Sequence, residues 1–258
     1  MNSHLDEAKI AMNQYFPLDQ ETHIKYLGNK KPVKMFADAM TNRQVHFGDR
    51  PDMLLINDNI AYLIEHFEFD SYSNTSKGSE IRMEQNRIEK TFSQSMPSEE
   101  GTYVHGMMQG HASYDNYIQN VEKAFIKHYR KIDVYKQNAQ ASGLLGKNMK
   151  MKMVFLIVDT SPVPNTVFDP IRKTQIHVSL VCSNEFMTLF ETHDKLDAVI
   201  FCSTFNNEKI VYYIDRNEIP FYKTKKIDYK NMKFISFNSI HVSGFNILEP
   251  FHKKTEDM

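Results

Sequence analysis

Residues 45–70 read VHFGDRPDMLLINDNIAYLIEHFEFD, and the organisation of the whole chain turns on this stretch. Three short apolar or alternating segments, VHFGD, MLLIND and IAYLIEHFEFD, are separated by turn residues: Gly48-Asp49-Arg50-Pro51, then Asn57-Asp58-Asn59. Runs of β-branched and aromatic residues bounded by Gly, Pro, Asn and Asp are strands joined by tight turns. The stretch therefore predicts a three-strand antiparallel meander.

On its N-terminal side, residues 1–48 read as helical, interrupted at Pro17 and around Gly28, with one helix over 33–41. On its C-terminal side a polar loop, SYSNTSKGS, leads to Ser79, the expected N-cap of a helix over 80–92. Residues 94–112 are broken by Pro97, Gly101, Gly106 and Gly110. Next, Tyr114, Tyr117, Ile118, Val121, Ala124, Phe125, His128, Ile132 and Tyr135 recur at helical spacing. They predict one helix of about 40 Å at 1.5 Å per residue, ended by Gly143 and Gly146. The remainder is strand-rich (MKMVFLIVD, QIHVSLVCS, DAVIFCS, KIVYYID, MKFISF), with a short helix over 184–193. Near-continuous apolar runs at 153–158 and 197–202 indicate strands covered on both faces. The expected class is α/β in a single domain over 1–258, with a core over about 33–215 and a strand-rich extension over 216–258.

Composition bounds the function classes. The chain has 258 residues, 41% of them hydrophobic and 24% charged, which suffices for a substantial core. Thirty-one Lys and Arg against 32 Asp and Glu give a net charge of −1, so any basic surface is local. The longest apolar run, at 153–158, is far short of the roughly 20 residues of a membrane helix. The N-terminus, MNSHLDEAKIAMNQYF, is not of signal-peptide type. The two cysteines, Cys182 and Cys202, sit in apolar runs and read as reduced thiols. These features predict a cytoplasmic protein without a membrane partner. There is no GxSxG elbow, phosphate-binding glycine loop, HExxH or CxxC, which disfavours serine hydrolases, P-loop ATPases and zinc peptidases.

The chemistry concentrates between Pro51 and Asp70, which contain Asp52, Asp58, Glu65, Glu68 and Asp70 and no Lys or Arg. Asp52 opens one strand directly after a proline, and Glu65 closes the apolar run Tyr62-Leu63-Ile64. A carboxylate at the end of a buried run costs several kcal/mol unless it is paired or holds a cation. Mg²⁺ takes one or two carboxylates together with water and phosphate oxygens, and two converging acids on adjacent strands supply that. The alternative is structural: a turn aspartate, and a buried glutamate paired with an arginine such as Arg82. His66, Glu68 and Asp70 alternate on the other face of the same strand, either as a solvated face or as ligands for a transition ion.

Pro51-Asp52, a twelve-residue spacer ending in the apolar Tyr62-Leu63-Ile64, and then Glu65 resemble the signature of the PD-(D/E)XK nuclease superfamily. The surrounding order, a helix, a three-strand meander with the acids on its second and third strands, a helix, then a strand, is similar to the restriction-endonuclease-like core. The resemblance covers residues 33–92 and the strand at 152–159. It implies metal-dependent phosphodiester hydrolysis of nucleic acid, DNA foremost, with Mg²⁺ or Mn²⁺ held by Asp52 and Glu65. It also implies a defence or mobile-element setting, and a homodimer or a partner subunit. The family's lysine, two residues after the second acid, is here Phe67. That departure leaves a second reading: a module on the same fold that binds nucleic acid or protein without catalysis. By helical phase, Lys77 falls within about 40° of the inward stripe of helix 80–92 and is the candidate replacement. Glu84 and Gln85 flank that stripe as a further metal ligand and a phosphate contact.

Weaker signals lie elsewhere. Lys223, Lys225, Lys226 and Lys230, interleaved with Tyr222 and Tyr229, form either a nucleic-acid contact or a solvated hairpin. His105 and His111 match no zinc spacing. Asp159 ends a buried strand as a turn acid or a further site carboxylate.

Overall fold

The alternating strands assemble into a mixed seven-stranded sheet. A computed structural model describes residues 3–16, 24–28, 34–35, 45–75, 78–84, 86–87, 103–109, 111–146, 148–161, 165–205, 208–235 and 239–245. They fall into two compact units, the larger formed by residues 1–71 and 114–235.

In the larger unit the sheet runs in the order β1 (Ile24–Gly28), β12 (Glu208–Asp215), β11 (Ala198–Phe205), β8 (Lys150–Asp159), β4 (Ile60–Phe69), β3 (Met53–Asn57) and β2 (Val45–Phe47). β2, β3 and β4 are the expected antiparallel meander. The β3–β4 turn is closed by Asp58, at φ 51°, and Asn59, between the paired residues Asn57 and Ile60. Asp tolerates this left-handed backbone because its short side chain can bond locally. β8 then pairs parallel to β4, and β11 parallel to β8.

Two cores follow from the period of two along these strands. On one face Leu63, Phe67, Met153, Phe155, Ile157, Val199 and Phe201 meet α2 (Tyr114–Tyr129), α3 (Ile132–Ala141), α4 (Asn184–Thr192) and α5 (Ile219–Thr224). On the other, Ile64, Val154, Leu156, Val158, Ile200 and Cys202 meet α1 (Ser3–Tyr15). β8 is thus covered on both sides, as its unbroken apolar run requires. Each fully buried Phe or Leu in these layers is worth about 1.5–3 kcal/mol relative to exposure. α1 presents Ala8, Ala11, Met12 and Tyr15 at helical spacing. α4 starts at Ser183, whose hydroxyl accepts from the Phe186 amide at 3.2 Å.

Several expectations change. Residues 24–28, expected helical, are the edge strand β1, paired parallel to β12; the alternation of Ile24, Tyr26 and Gly28 serves a sheet edge. Of the helix over 33–41 only residues 34–35 are described, and they are helical. The run QIHVSLVCS is a strand only to His177 in β10 (Thr174–His177), and Leu180–Cys182 form a 3₁₀ turn that buries Leu180 and Val181. β10 joins β9 (Thr166–Asp169) and β13 (Lys233–Ile235) in a three-stranded sheet. Both cysteines are free; Cys202 is buried and burial holds its thiol well above the usual range.

The single long helix is in fact two. The chain breaks at Arg130–Lys131, where Lys131 has φ −101° and ψ 0° and its amide donates to His128 O at 3.0 Å. A straight helix would hold residues seven apart about 10.5 Å along its axis. The break instead lets His128, in the last turn of α2, and Tyr135, in the first turn of α3, reach the same strand residue.

The smaller unit comprises residues 72–113 and 236–258. Its described residues form the antiparallel pair β7 (Tyr103–Gln109) and β14 (Ser239–Phe245), and a small ladder of β5 (Asn74–Thr75) with β6 (Gly78–Ser79). Ser79 is a buried strand residue whose Oγ has no hydrogen bond, so it does not cap the helix that follows over 80–84. The region containing His105 is accordingly a strand rather than a loop. No helix among the described residues is long and apolar enough to cross a membrane.

Candidate functional site

Strand register brings the two expected acids together. Met53 pairs with Ile64, so Asp52 and Glu65, the next step outward, stand opposite each other on adjacent strands. Leu54 and Leu63 belong to the core under α2 and α3, and Asp52 and Glu65 share their parity. Opposed residues of an antiparallel pair have Cβ atoms about 5 Å apart, so the two acids leave the same face of the sheet as neighbours. Asp52 is 8% exposed and Glu65 4%.

Each carboxylate is held by the frame around it. Asp52 Oδ2 accepts from the His66 backbone amide at 2.8 Å. Glu65 Oε1 accepts from Tyr135 OH at 2.6 Å and from His128 Nδ1 at 2.8 Å, and the two donors are 3.4 Å apart. The partners of this buried glutamate are a tyrosine and a histidine, not the arginine of the structural alternative. Its second oxygen, Oε2, is buried and has no hydrogen-bond partner. Burial, then the Glu65 carboxylate and its hydrogen bond, then Asp52, hold the Tyr135 phenol above its usual range, with Arg50 acting in the opposite sense. Phe67 stacks on the His128 imidazole, with centroids 5.0 Å apart and planes at 16°.

A cleft of about 350 Å³ is lined by Pro51 together with His46, Arg50, Leu54, Asn138 and Ser142, and neither Asp52 nor Glu65 is part of its lining. Asn138 Nδ2 donates to Arg50 O at 3.0 Å, fixing the turn that presents Asp52. Arg50 (φ 76°) leaves its side chain largely exposed there, 3.9 Å from Asp49.

The other expected site residues are placed differently. Lys77 and Gln85 lie outside the described residues. Glu84 is in the smaller unit, where Arg87 grips both its oxygens, Nε to Oε2 at 2.9 Å and NH2 to Oε1 at 2.5 Å. The Arg87 hydrogen bond holds the Glu84 carboxyl below its usual range. His66 and Asp70 are buried rather than solvated, with His66 Nε2 3.8 Å from Glu68 Oε1. Among the described residues no group of three or more His, Cys, Asp or Glu is arranged to hold a metal. Asp159 lies four residues further along the sheet, level with Phe69 rather than Glu65. Its oxygens accept from Ser161 N and Asn165 Nδ2, both at 2.9 Å, so it is a turn acid. Burial pushes its carboxyl up to about 6 despite these hydrogen bonds.

The lysine-rich segment is no hairpin: it comprises α5, a turn, and a 3₁₀ turn over Tyr229–Asn231. Tyr222 and Tyr229, expected as stacking groups, are 7% and 1% exposed and belong to the core. Lys223 pairs with Glu191 at 2.6 Å, and Lys225 lies 5.5 Å over the Phe221 ring. Lys226 and Lys230 are exposed. In the smaller unit His111 Nδ1 is 3.3 Å from Glu80 Oε2.

His128 and Tyr135 were visible in the sequence only as members of an inward helical stripe. The signal for more was chemical: a histidine and a tyrosine facing a core require a polar partner, and Glu65 at the end of its buried run is such a group.

The chain matches no protein-family model, and no curated protein or solved structure matches it at a significant level. The larger unit is thus characterised by its own geometry: a mixed α/β layer with a buried carboxylate pair at the edge of its meander.

Proposed function

We propose that this chain hydrolyses phosphodiester bonds of nucleic acid, DNA foremost, with a divalent cation held by Asp52 and Glu65. The observation that carries the reading is Glu65 Oε2, a buried carboxylate oxygen with no hydrogen bond, on the face it shares with Asp52. An oxygen in that state costs several kcal/mol without a donor or cation. The donor set fits a hard cation, since Mg²⁺ or Mn²⁺ takes one or two carboxylates and completes its shell with water and phosphate oxygens. Such an ion, when bound, makes water a stronger acid and neutralises charge building on the phosphate.

The protein's own groups divide the remaining work. Tyr135 and His128 fix Glu65 through Oε1 and leave Oε2 without a hydrogen bond. The His66 amide fixes Asp52. Arg50, largely exposed in the lining of the cleft beside Pro51, would receive the phosphate backbone. Lys226 and Lys230 offer further phosphate contacts without base stacking. Additional support comes from topology: a meander with the acids on its second and third strands, helices, then a strand parallel to the third. It is the order that the sequence resemblance to the PD-(D/E)XK superfamily implies.

Phe67, where that superfamily has lysine, favours the second reading, a nucleic-acid- or protein-binding module without catalysis. Incubating the protein with plasmid, single-stranded DNA and RNA under Mg²⁺ or Mn²⁺ separates the two. Cleavage by the native chain that disappears in Asp52→Ala and Glu65→Ala supports hydrolysis. Absence of cleavage, with nucleic acid still bound, supports the binding module.

A further inference from the structure

We propose that the outer flank of α2 is a phosphate track: Lys123, Lys127 and Arg130 hold one strand of a nucleic acid along the helix whose inner side clamps Glu65. The proposal deepens the reading above and rests on nucleic acid as the partner, whether the chain cleaves it or only binds it.

α2 sorts its charges by face. At about 100° per residue, Lys123, Lys127 and Arg130 fall within about 60° of one another around its axis, and all three are exposed. Arg130 follows the last residue of α2, but its amide donates to Ile126 O at 3.2 Å and so continues the helical turn. The acids of the helix, Asp115 and Glu122, are centred about 100° away. Contacts on either side fix how the helix is turned. Ile118, Glu122 and Ile126 face α4 across a groove of about 510 Å³. Opposite them Asn120, within about 20° of Lys127, donates to Asp70 O, just past the end of β4, at 2.9 Å. The cations therefore run from the solvent side of α2 onto the flank over β4, away from α4. His128, next to Lys127, reaches Glu65 Oε1 at 2.8 Å from the same turn.

Two observations separate this row from an ordinary solvated face. None of the three cations has an ion-pair partner among the described residues, whereas Lys195 and Lys223 are engaged by Asp133 and Glu191. The helix dipole accounts for cations in a last turn, and hence for Lys127 and Arg130, but its effect does not extend to Lys123, nearly two turns from the end. The spacing also suits the partner. Seven residues at 1.5 Å each span about 10.5 Å, and a duplex strand advances about 3.4 Å per phosphate, so three cations meet about three phosphates. Neutralising those phosphates releases their counterions and supplies affinity without reading the base sequence.

The test is fluorescence anisotropy of the full chain with a labelled DNA duplex in EDTA, over a range of salt. A track variant, Lys123→Gln with Lys127→Gln and Arg130→Gln, is compared with a control of equal charge change. The control is Lys25→Gln with Lys173→Gln and Lys233→Gln, exposed residues of β1, the β9–β10 turn and β13. Circular dichroism checks that both are folded, and each single substitution on α2 is measured as well. The track variant should bind about tenfold or more weakly at about 0.1 M salt and lower the slope of log Kd against log salt by about 2–3. Each single substitution should lower it by about 1, and the control triple by less than that. Equal losses in the two triples would overturn the track and leave these cations as a solvated face. Displacement of the duplex by polyglutamate as readily as by unlabelled DNA would overturn it in favour of an acidic protein. A native chain that binds no nucleic acid at low salt would remove the nucleic-acid reading itself, and the proposal with it. Track-dependent binding by a chain that cleaves nothing would support the track and count only against hydrolysis.

Discussion

Replacing Tyr135 by phenylalanine removes one oxygen from the larger unit and leaves the ring packing in place. That oxygen donates to Glu65 Oε1 at 2.6 Å in a fully buried setting. A hydrogen bond to a charged group contributes about 1.5–3 kcal/mol. No cavity of consequence opens, and Oε1 keeps His128 as a donor, so the loss belongs near the lower half of that range, about 2 kcal/mol. At roughly 2–4 °C per kcal/mol for a protein of this size, the melting temperature should fall by about 4–8 °C. The chain has no tryptophan, so the assay is urea unfolding followed by far-ultraviolet circular dichroism. It is run near pH 7, where the phenol is neutral in both folded and unfolded chains. The midpoint should fall with the slope m unchanged. Combining Tyr135→Phe with Glu65→Leu should recover part of the loss, because the two side chains act on each other. A midpoint unchanged by Tyr135→Phe would refute the clamp on Glu65.

Three other outcomes follow from the structure. Phe67→Ala removes a ring held between His128 and Phe155 (5.0 and 5.5 Å) and should cost about 3–5 kcal/mol, measured by the same unfolding curves. Asp159→Asn should flatten the acid side of the stability profile. The native carboxyl, raised from 3.8 to about 6, keeps its proton in a window where the unfolded chain has lost it. The native protein therefore binds more protons there, and stability falls as pH rises through that window. The contribution is complete below 3.8 and gone above about 6. It corresponds to about 3 kcal/mol at about 1.4 kcal/mol per pH unit, so the melting temperature of the native protein should fall relative to that of Asp159→Asn as pH rises from 4 to about 6. Finally, Lys226→Ala with Lys230→Ala should weaken DNA binding and lower the salt slope of log Kd by up to about 2, read by fluorescence anisotropy; an unchanged slope would remove this segment from the binding surface.

The meander and the doubly covered β8 were legible because their signals are local: turn residues at fixed offsets and an apolar run too continuous for a half-exposed strand. The alignment of Asp52 with Glu65 was legible for the same reason, since a two-residue turn fixes the register between their strands. The break at Arg130–Lys131 was not, because nothing in the local pattern forbids a continuous helix there; it follows from packing both His128 and Tyr135 on Glu65. Residues 24–28 became a strand through pairing with β12, nearly two hundred residues away, which no local window contains. Tyr222 and Tyr229 misled in the opposite way. Neighbouring lysines made the segment read as a solvated surface, whereas both rings anchor it to the core and only the lysine side remains outside. Alternation places His66, Glu68 and Asp70 on one face but does not say what covers them, and in the structure His66 and Asp70 are buried.

The carboxylate pair is tested most directly by calorimetric titration of Mn²⁺ into the metal-free protein, alongside Asp52→Asn and Glu65→Gln. The account predicts one ion per chain, abolished or weakened at least tenfold by either substitution, with both variants still folded by circular dichroism. Absence of Mn²⁺ binding in the native chain, or equal binding in all three proteins, would contradict it, and Asp52 and Glu65 would then be structural acids of a binding module.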